Sequence, residues 1–474
     1  MRKPFEPQLR LGQIPIEDIE FDPQCRDEIT QLLVCLQAIF GLPEIRSQVL
    51  GILERLIPGN LKNGRPGMDL WKILVLGTLK LNCDWDFDKL ANIANNHIEL
   101  RMMMFHTPDD RYRYALRTVA QNIKLFTPEI LDEINRVVVG FGHNLCGMGP
   151  DDSLFGSADS MPVETDVHFP TDISLLFDAI SKIITLVPGV GRKGWRKWRR
   201  LIDKARKLWR DAQNKKKRGA KDKKKREKIN ELIIRAHIEY IAFARKIVAR
   251  ACETLAADSG DDILASLAAE QIWDFIGHAN RQIDQIERRV VNGEKIPHAE
   301  KVFSIFEGHT EWISKGKAGV PQQLGLNVRI VRDQHGFILH HRVMENETDG
   351  KIAVPIVRET IERFPQFSGC SFDRGFHTPD NQKILSEILD RLVLPKKGKP
   401  APAESTPEFK ERRKKHSAVE SSLSALKNHG LERCRDHGID GFRRHVALAV
   451  LARNIQIVGN LLLQEKRKRE KRAA

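Results

Sequence analysis

SLFGSADSMPV, residues 153–163, predicts a short strand that carries one carboxylate, Asp159. The next segment, ETDVHFPTD (164–172), ends the extended run and offers Thr171 or Asp172 as the N-cap of a helix. A carboxylate that is held at a strand end and followed by a turn can be rigid and still face solvent. Asp159 is therefore a candidate ligand for a metal ion.

Two further acidic residues belong with Asp159. FSGCSFDRGF (367–376) predicts a strand that ends at Asp373, and HSAVESSLSALK (416–427) predicts a helix that carries Glu420. Two-metal phosphoryl transfer needs carboxylates that converge on cations about 3.5–4 Å apart, because Mg²⁺ is a hard ion that prefers oxygen ligands. The trio predicts a site for divalent metals and phosphodiester chemistry.

Each of the three acidic residues has an ordinary structural alternative. Asp159 could cap a turn after its strand, and Asp373 could be a turn residue, since Gly375 permits a tight turn. Glu420 could tie down a helix start, because Ser417 and Glu420 fit the S-x-x-E capping box. Four other aspartates could then take the place of Asp159 as the metal ligand: Asp151, Asp152, Asp166 and Asp172.

The elements around these residues predict an α/β core. Strands are predicted at residues 301–306 and 326–344, and Asp333 to Gly336 resembles a hairpin turn. The elements that follow are a helix at 352–365, a strand at 367–373, a helix at 380–392, a strand at 392–395, a Pro- and Lys-rich linker at 396–415, the helix with Glu420 and an apolar helix at 445–463. This order fits a mixed sheet that is interrupted once by a long helical insertion.

A chain of 474 residues is too long for one ordinary core and predicts several domains. Residues 1–145 show apolar positions at helical spacing and predict an all-α domain, for DNA binding or for dimerisation. Residues 150–172 and 296–464 form the predicted α/β core, and residues 173–295 form the all-α insertion. Residues 465–474 are a basic tail that is predicted to be disordered. The expected fold is an α/β core in a predominantly helical protein.

The net charge of +15 comes from one segment, because residues 191–228 hold 20 Lys/Arg against 4 Asp/Glu. Such a density of like charge favours a polyanionic partner and indicates DNA. Apolar residues recur every three or four positions from Trp195 to Trp209, which predicts an amphipathic helix with its Trp residues in a core rather than stacked on bases. The candidate phosphate contacts are Arg196, Lys197, Arg199, Arg200, Lys216, Lys217 and Arg218.

Cysteine usage and hydropathy argue against zinc-binding, disulfide-rich, membrane-spanning and secreted classes of protein. Seven cysteines stand singly without a C-x-x-C pair, which argues against a zinc module and against a disulfide framework. No run of about 18 uncharged apolar residues occurs, and MRKPFEPQLR (1–10) lacks the apolar stretch of a signal peptide. These features predict a reduced protein of the cytoplasm with no membrane partner.

Several blocks of the sequence resemble a known enzyme family. They are GRPGMDLWKILVLGTLKL (64–81), GSADSMPVETDVHFPTDISLLFDAI (156–180), SFDRGFHTPDNQKIL (371–385) and HSAVESSLSALKNHGLERCRDHGIDGFRRHVALAVLARNI (416–455). In that order they resemble the DDE transposases of bacterial insertion sequences, in particular the ISNCY-like group, whose catalytic core is ribonuclease-H-like. The resemblance extends from about Gly64 to Gly459.

The resemblance implies a role for individual residues. It makes Asp159 the first metal-binding Asp, Asp373 the second and Glu420 the closing Glu. Many such transposases have a Tyr and an Arg before that Glu and a Lys seven residues after it. Lys427 matches the Lys, whereas Arg413 stands at the Tyr position and His416 at the Arg position. These three residues are candidates for phosphate contact. Lys427 could also be an ordinary solvated helix residue.

The function that the resemblance implies is DNA transposition. Such an enzyme binds the terminal inverted repeats of its element, cleaves a strand with two Mg²⁺ or Mn²⁺ ions, and joins the freed 3′-hydroxyl to target DNA. Pairing of two ends implies a homodimer or a larger assembly, and the substrate implies a place at the bacterial nucleoid. The alternatives are a domesticated, non-catalytic DNA-binding protein and a DDE-type nuclease without strand transfer.

Overall fold

The strand predicted around Asp159 lies inside a sheet. In the computed structural model, β1 covers Leu154–Thr165 and continues past the predicted end at Val163. The prediction that Asp159 ends a strand and precedes a turn is therefore wrong. The reason is β3 (Gln322–Arg332), which pairs with β1 on both sides of Asp159. The residues that the structure describes are 9, 11–57, 67–149, 151–191, 194–216, 222–257, 263–314 and 322–473.

The described residues form a seven-stranded mixed sheet. Its other strands are β2 (Glu311–Ser314), β4 (Ile338–Met344), β5 (Phe367–Phe372), β6 (Arg391–Val393) and β7 (Arg433–Cys434). On one side, β1 is antiparallel to β3, and β3 is antiparallel to β2 and to β4. On its other side, β1 is parallel to β5 and β7, and β5 is parallel to β6. The antiparallel and parallel halves of the sheet meet at β1.

One predicted strand is absent and one predicted turn is confirmed. Residues 301–306, KVFSIF, are irregular, and Ile305 packs into the apolar core of the helical insertion. A short apolar run fits a buried irregular segment as well as a strand, so periodicity could not separate the two. The hairpin between β3 and β4 has the predicted turn, in which Gly336 N–H donates to Asp333 O at 3.2 Å.

Helices dominate the rest of the described chain. They are α1 (Glu28–Gly41), α2 (Pro43–Glu54), α3 (Leu70–Asn82), α4 (Phe87–Asn96), α5 (Ile98–Met103), α6 (Leu116–Ile123), α7 (Pro128–Leu145), α8 (Asp172–Val190), α9 (Trp198–Lys216), α10 (Lys223–Ala256), α11 (Ile263–Ile286), α12 (Asp349–Arg363), α13 (Pro379–Ile388), α14 (Pro407–His416), α15 (Ala418–Leu426) and α16 (Gly438–Ala473). The chain divides into two compact units, one of residues 1–166 with 311–474 and one of residues 167–310.

The N-terminal helices share one apolar core with the sheet, although residues 1–145 are predicted as a separate domain. The long helix α16 packs against α1, α3, α7 and β4 and so joins the two sets of elements. At Gly459 the backbone of α16 approaches α1 so closely that an added Cβ would lie 1.8 Å from Gln31 O. The apolar faces of the N-terminal helices predicted a separate helical domain. In the structure, these faces belong to the same apolar core as the sheet.

The insertion forms a compact unit of its own, Val167–Thr310, which is wider than the predicted 173–295. Helices α8 to α11 surround a second apolar core. The predicted amphipathic pattern is confirmed, because Trp195 and Ala205 are fully buried while Trp209 packs at the edge of this core. The Trp residues therefore stabilise the insertion, as the periodicity predicts.

The two ends of the insertion are held together by polar contacts. Thr171 caps α8, as predicted, by accepting a hydrogen bond from Ser174 N–H at 3.2 Å. Arg289, just after α11, donates two hydrogen bonds to the carboxylate of Asp172, at 2.6 and 2.9 Å. Bidentate pairs of this kind fix geometry as well as charge. The first helix of the insertion and the segment after its last helix are therefore held next to each other.

Two segments that are predicted to be irregular are helical. The predicted linker 396–415 contains most of α14, and the predicted disordered tail belongs to α16, which continues to Ala473. The tail is held near its start, because Lys466 Nζ donates to Phe21 O at 3.3 Å and Arg467 donates to the carbonyl of Pro23. These contacts and the preceding apolar helix outweigh the repulsion between the basic side chains.

Two described helices are long and apolar enough to cross a membrane, namely α8 and the segment Gly438–Arg472 of α16. The pair α1 and α2, bent by 99° at their junction, meets the same criterion of length and composition. These helices contain a few charged residues, so a search for uncharged runs does not find them. Of the apolar stretch, 44% is buried in α8 and 72% in the segment of α16. The cytoplasmic location stays a prediction.

Two glycines of α7 give a test of the packing between this helix and the sheet. A Cβ on Gly142 would lie 2.3 Å from the ring of Phe337, which is fully buried, whereas a Cβ on Gly140 would meet nothing within 4 Å. We expect Gly142→Ala to lower the free energy of unfolding by about 2 kcal/mol through overpacking. Gly140→Ala should raise it by roughly 0.5–1 kcal/mol, the helix preference of Ala. Urea unfolding of both variants measures the difference, and equal values would contradict the packing.

Candidate active site

Asp159 on β1 and Asp373, directly after β5, follow neighbouring positions on two parallel strands. Ala158 of β1 is in register with Phe372 of β5, and each aspartate is the next residue along its chain. Parallel strands are about 4.8 Å apart, so the two backbones are one strand spacing apart. Ser157 and Ser371, two residues earlier, place their hydroxyl oxygens 2.8 Å apart. Because side chains alternate, both aspartates project from the same face of the sheet as this Ser pair.

Asp373 is half exposed and lies beside an arginine and a histidine of α14. It directly follows β5 and precedes a short 3₁₀ turn, Arg374–Phe376. Arg413 Nη2 and His416 Nε2 of α14 each lie 3.5 Å from Asp373 Oδ1. The contact with His416, followed by the charge of Arg413, lowers the pKa of Asp373 below its ordinary value. Asp373 is therefore an anion at neutral pH.

Asp159 has the opposite electrostatic environment. Burial raises the pKa of Asp159 above its ordinary value, and the negative charge of Asp373 adds to the increase. Its Oδ1 accepts a hydrogen bond from Ser160 N–H at 2.7 Å, which limits the increase. Neighbouring carboxylates whose pKa values are driven apart are typical of acid–base and metal sites. A divalent cation would offset the repulsion between these two.

His416 is buried and joins α14 to the sheet. Its Nδ1 lies 2.9 Å from Ser371 Oγ, and the remaining ring nitrogen faces Asp373. Arg413 donates from Nη1 to the carbonyl of Phe372 at 3.0 Å. Both residues are predicted phosphate contacts. In the structure, however, their side chains contact the end of β5 and the carboxylate of Asp373. A largely buried imidazole offers little surface to a phosphate.

Glu420 lies on the same helical stripe as these two residues. Ser417 between α14 and α15 has helical dihedral angles, φ −56° and ψ −19°, so the positions Arg413, His416 and Glu420 follow the spacing i, i+3, i+7. The capping box is absent, because the Ser417 side chain makes no cap bond and its hydroxyl donates to Lys414 O at 2.9 Å. Glu420 is exposed and makes no ion pair or hydrogen bond through its carboxylate among the described residues.

The described residues contain no group of three or more His, Cys, Asp or Glu side chains placed to hold a metal ion. Asp159 and Asp373 nevertheless offer carboxylate oxygens of the type that Mg²⁺ and Mn²⁺ prefer. Helix α15 packs against β1, the strand of Asp159, and the Glu420 carboxylate on this helix is exposed. The two aspartates fit a hard divalent cation, and Glu420 would have to approach them to complete a three-carboxylate site.

The other aspartates weighed as metal ligands are placed elsewhere. Asp152 Oδ2 accepts a hydrogen bond from Gly149 N–H at 2.8 Å, and Asp166 lies 3.6 Å from Arg433. Asp172 belongs to the helical insertion, where it binds Arg289. Asp151 is exposed at the turn before β1. Asp159 is the candidate whose charge interacts with that of Asp373.

A buried cation behind the aspartates was not predicted from the sequence. The side chain of Arg329 on β3 is fully buried, with Nη2 2.5 Å from Asp349 Oδ1 at the start of α12. Its guanidinium carbon lies 3.7 Å from the ring centre of Phe376, in the turn after Asp373. Arg329 also pairs across the strands with Ser160, the neighbour of Asp159. Burial lowers the pKa of Arg329 to about 10, and its charge interacts with those of Asp349 and Asp159.

The predicted DNA contacts lie on both units. Arg199 and Arg200 in the first turn of α9, and Arg196 and Lys197 in the turn before it, are exposed. Lys216 is the last residue of α9, whereas Lys217 and Arg218 lie outside the described residues. Lys427 is partly buried and directly follows α15 in helical conformation, two turns after Glu420. The exposed cations of α9 can reach a polyanion without any rearrangement of the insertion.

Comparison of the chain with protein-family models, with curated proteins and with solved structures finds no match. The chemistry of the site therefore follows from its own residues. The residues that carry it are Asp159 and Asp373 beside the β1–β5 pairing, the stripe of Arg413, His416 and Glu420, and the buried Arg329.

Proposed function

We propose that the protein is a DDE-type DNA transposase, an enzyme that cleaves a DNA strand at the ends of an insertion sequence and transfers the 3′-end to target DNA. One observation carries the proposal. Asp159 on β1 and Asp373, directly after β5, each follow the in-register pair Ala158 and Phe372 on adjacent parallel strands. Helix α15, which packs against β1, carries a third carboxylate, Glu420, that has no ion pair or hydrogen bond among the described residues. Convergent carboxylates on a rigid sheet suit phosphoryl transfer assisted by divalent metals.

The strand order supports a ribonuclease-H-like core. In such a core, three antiparallel strands precede two strands that are parallel to the first. Here β1, β3 and β4 make the antiparallel part, and β5 and β6 continue parallel to β1. The first of these five strands, β1, carries Asp159, and the fourth, β5, directly precedes Asp373. Fold alone does not define chemistry, so the proposal rests on the carboxylates.

Asp159, Asp373 and Glu420 would hold Mg²⁺ or Mn²⁺ in this proposal. Bound there, divalent ions would lower the pKa of a water or 3′-hydroxyl nucleophile and neutralise charge on the leaving oxygen. The chain's own groups prepare the site, since His416 and Arg413 keep Asp373 ionised. Asp159 is held by the Ser160 N–H. Lys427, two turns beyond Glu420, would contact a DNA phosphate.

The helical insertion would supply sequence-independent affinity for DNA. Its exposed basic residues on α9 match the phosphate backbone, which dominates non-specific binding. The partners in this proposal are the terminal inverted repeats and the target DNA. Two ends must be cleaved together, so the active form would be at least a homodimer.

Removing four charges from the start of α9 and the turn before it should weaken DNA binding and its salt dependence together. We expect the combined change of Arg196, Lys197, Arg199 and Arg200 to Gln to make the slope of log K against log salt shallower by about 3 to 4, because each lost phosphate contact contributes about 0.9. Affinity for a duplex at low salt should fall roughly tenfold or more. Fluorescence anisotropy at several salt concentrations measures both quantities.

A matched control removes four exposed cations from other parts of the same unit. The residues to be changed to Gln are Lys246, Arg281, Lys295 and Lys301. This variant has the same net charge as the first, so a purely non-local charge effect would weaken both equally. If both variants lose affinity to the same extent, α9 is not the DNA contact.

The test of the proposed function is strand cleavage and strand transfer in one reaction. A labelled duplex that carries the inverted repeat flanking the gene is incubated with the full-length protein, Mg²⁺ or Mn²⁺, and a plasmid target. The proposal expects metal-dependent cleavage, suppressed by EDTA, and joining of the label to the plasmid. Cleavage without joining would indicate a nuclease, and binding without cleavage would indicate a non-catalytic DNA-binding protein.

A further inference from the structure

We propose that Ser371 and His416 form a positioning pair that fixes the carboxylate of Asp373 for metal binding. The inference rests on the proposed function, because it concerns the same metal site. It adds a role for a histidine at a position where the family pattern has an arginine. The role is indirect, since His416 acts through Asp373 and not on the substrate.

The contacts form a continuous path from the sheet to the carboxylate. Ser371 Oγ lies 2.8 Å from Ser157 Oγ and 2.9 Å from His416 Nδ1. His416 Nε2 lies 3.5 Å from Asp373 Oδ1. Ser371 is fully buried, and Ser157 and His416 are almost so. Little solvent can compete for these polar groups, so the partners within the path determine their orientation.

The two ring nitrogens of His416 have different tasks. A neutral imidazole stabilises an anionic neighbour only through the nitrogen that carries the proton. Ser371 Oγ also lies 3.3 Å from Gly156 O, and its hydroxyl has one proton to donate. When Ser157 donates to Ser371 and Ser371 directs its proton to His416 Nδ1, the proton of the ring is on Nε2, which faces Asp373. Second-sphere groups of this kind fix the orientation of metal ligands, and their loss typically lowers metal affinity 10–100-fold. Ser371 thus selects the tautomer, and His416 holds the carboxylate.

The geometry allows the two nitrogens to be tested separately. The side-chain amide of Asn can take the place of Nδ1, and the longer amide of Gln can take the place of Nε2. His416→Asn should retain the contact with Ser371 but lose the contact with Asp373, and His416→Gln should do the reverse. We expect the Kd for Mn²⁺ to rise about tenfold in His416→Asn and in Ser371→Ala, and to stay within about threefold in His416→Gln.

The experiment is isothermal titration of the full-length protein with Mn²⁺ alone, with Tm measured for each variant. Equal Mn²⁺ affinity of parent and His416→Asn would overturn the inference, and so would an equal loss in His416→Asn and His416→Gln, since a merely structural role does not distinguish the nitrogens. Ser371→Ala gives an independent result if a His416 variant fails to fold. Asp373→Asn separates the two proposals, because unchanged Mn²⁺ affinity in that variant removes the metal site itself.

Discussion

Replacing Asp373 by Asn is expected to lower the rate of metal-dependent strand cleavage by a factor of about 10³ or more. The substitution keeps the shape of the side chain but removes the charge that would bind the cation. Metal-assisted charge stabilisation contributes several kcal/mol to phosphoryl transfer, and about 4 kcal/mol corresponds to a factor of about 10³. The contacts of His416 and Arg413 with this carboxylate indicate that its anionic form is the functional one. The cleavage rate at saturating Mg²⁺ measures the effect.

The control for this substitution is Asp380→Asn. Asp380 is an exposed carboxylate in the first turn of α13, a few residues further along the chain, and the same chemical change there should leave the rate within about twofold. Asp159→Asn should lower the rate as strongly as Asp373→Asn, because each aspartate directly follows one member of the in-register pair Ala158 and Phe372. Cleavage at the parental rate in either variant would remove that residue from the site.

Glu420 is a separate case, because its carboxylate has no partner among the described residues. The sequence predicted two alternative roles for Glu420, as a metal ligand and as part of a capping box. The structure excludes the capping box, because the Ser417 side chain makes no cap hydrogen bond. A free carboxylate on the stripe of Arg413 and His416 fits a ligand that joins the site when the cation binds. The position of Glu420 was predicted from the resemblance, whereas the state of its side chain follows from the conformation of Ser417.

Sequence patterns predicted the strands that carry chemistry better than the irregular parts of the chain. β3 and β4 contain Val and Ile, and the hairpin between them has Gly336 at a position with positive φ, so local preference and tertiary structure agree. KVFSIF at 301–306 has the same composition, but its partners are helices of the insertion. The basic tail is helical because α16 precedes it, a cooperative effect that residue composition does not contain.

The sequence predicted which charged residues form the candidate site, and it placed Asp373 correctly at the end of β5, but it did not predict that Asp159 lies inside β1. Asp159 and Asp373 are brought together by the register of β1 and β5, which are far apart in sequence. Arg329 was missed because an arginine between Val328 and Ile330 is also typical of a strand with one solvated face. The signal was present in its neighbours, since Val328, Ile330 and Val331 are all fully buried and leave no exposed face for the arginine.

Asp349→Ala is expected to lower the free energy of unfolding by about 3 kcal/mol. Asp349 is the ion-pair partner of Arg329, whose side chain is fully buried and whose Nε and Nη1 have no hydrogen-bond partner among the described residues. Removing one member of a buried pair leaves an uncompensated charge, which typically costs about 3–5 kcal/mol. Asp349 is itself 41% exposed, and Asp159 stays near, so the lower end of this range applies. Urea denaturation monitored by circular dichroism measures the change.

The double variant Arg329→Met with Asp349→Ala decides whether the loss comes from the unpaired cation. Met fills much of the volume of the guanidinium without its charge, so the double variant should recover more than half of the stability lost in Asp349→Ala. Glu411→Ala, which removes the partner of exposed Lys415, provides the comparison with a solvated pair and should leave unfolding almost unchanged. A double variant less stable than Asp349→Ala would mean that Arg329 stabilises the sheet through Phe376 and Asp159, and not through Asp349.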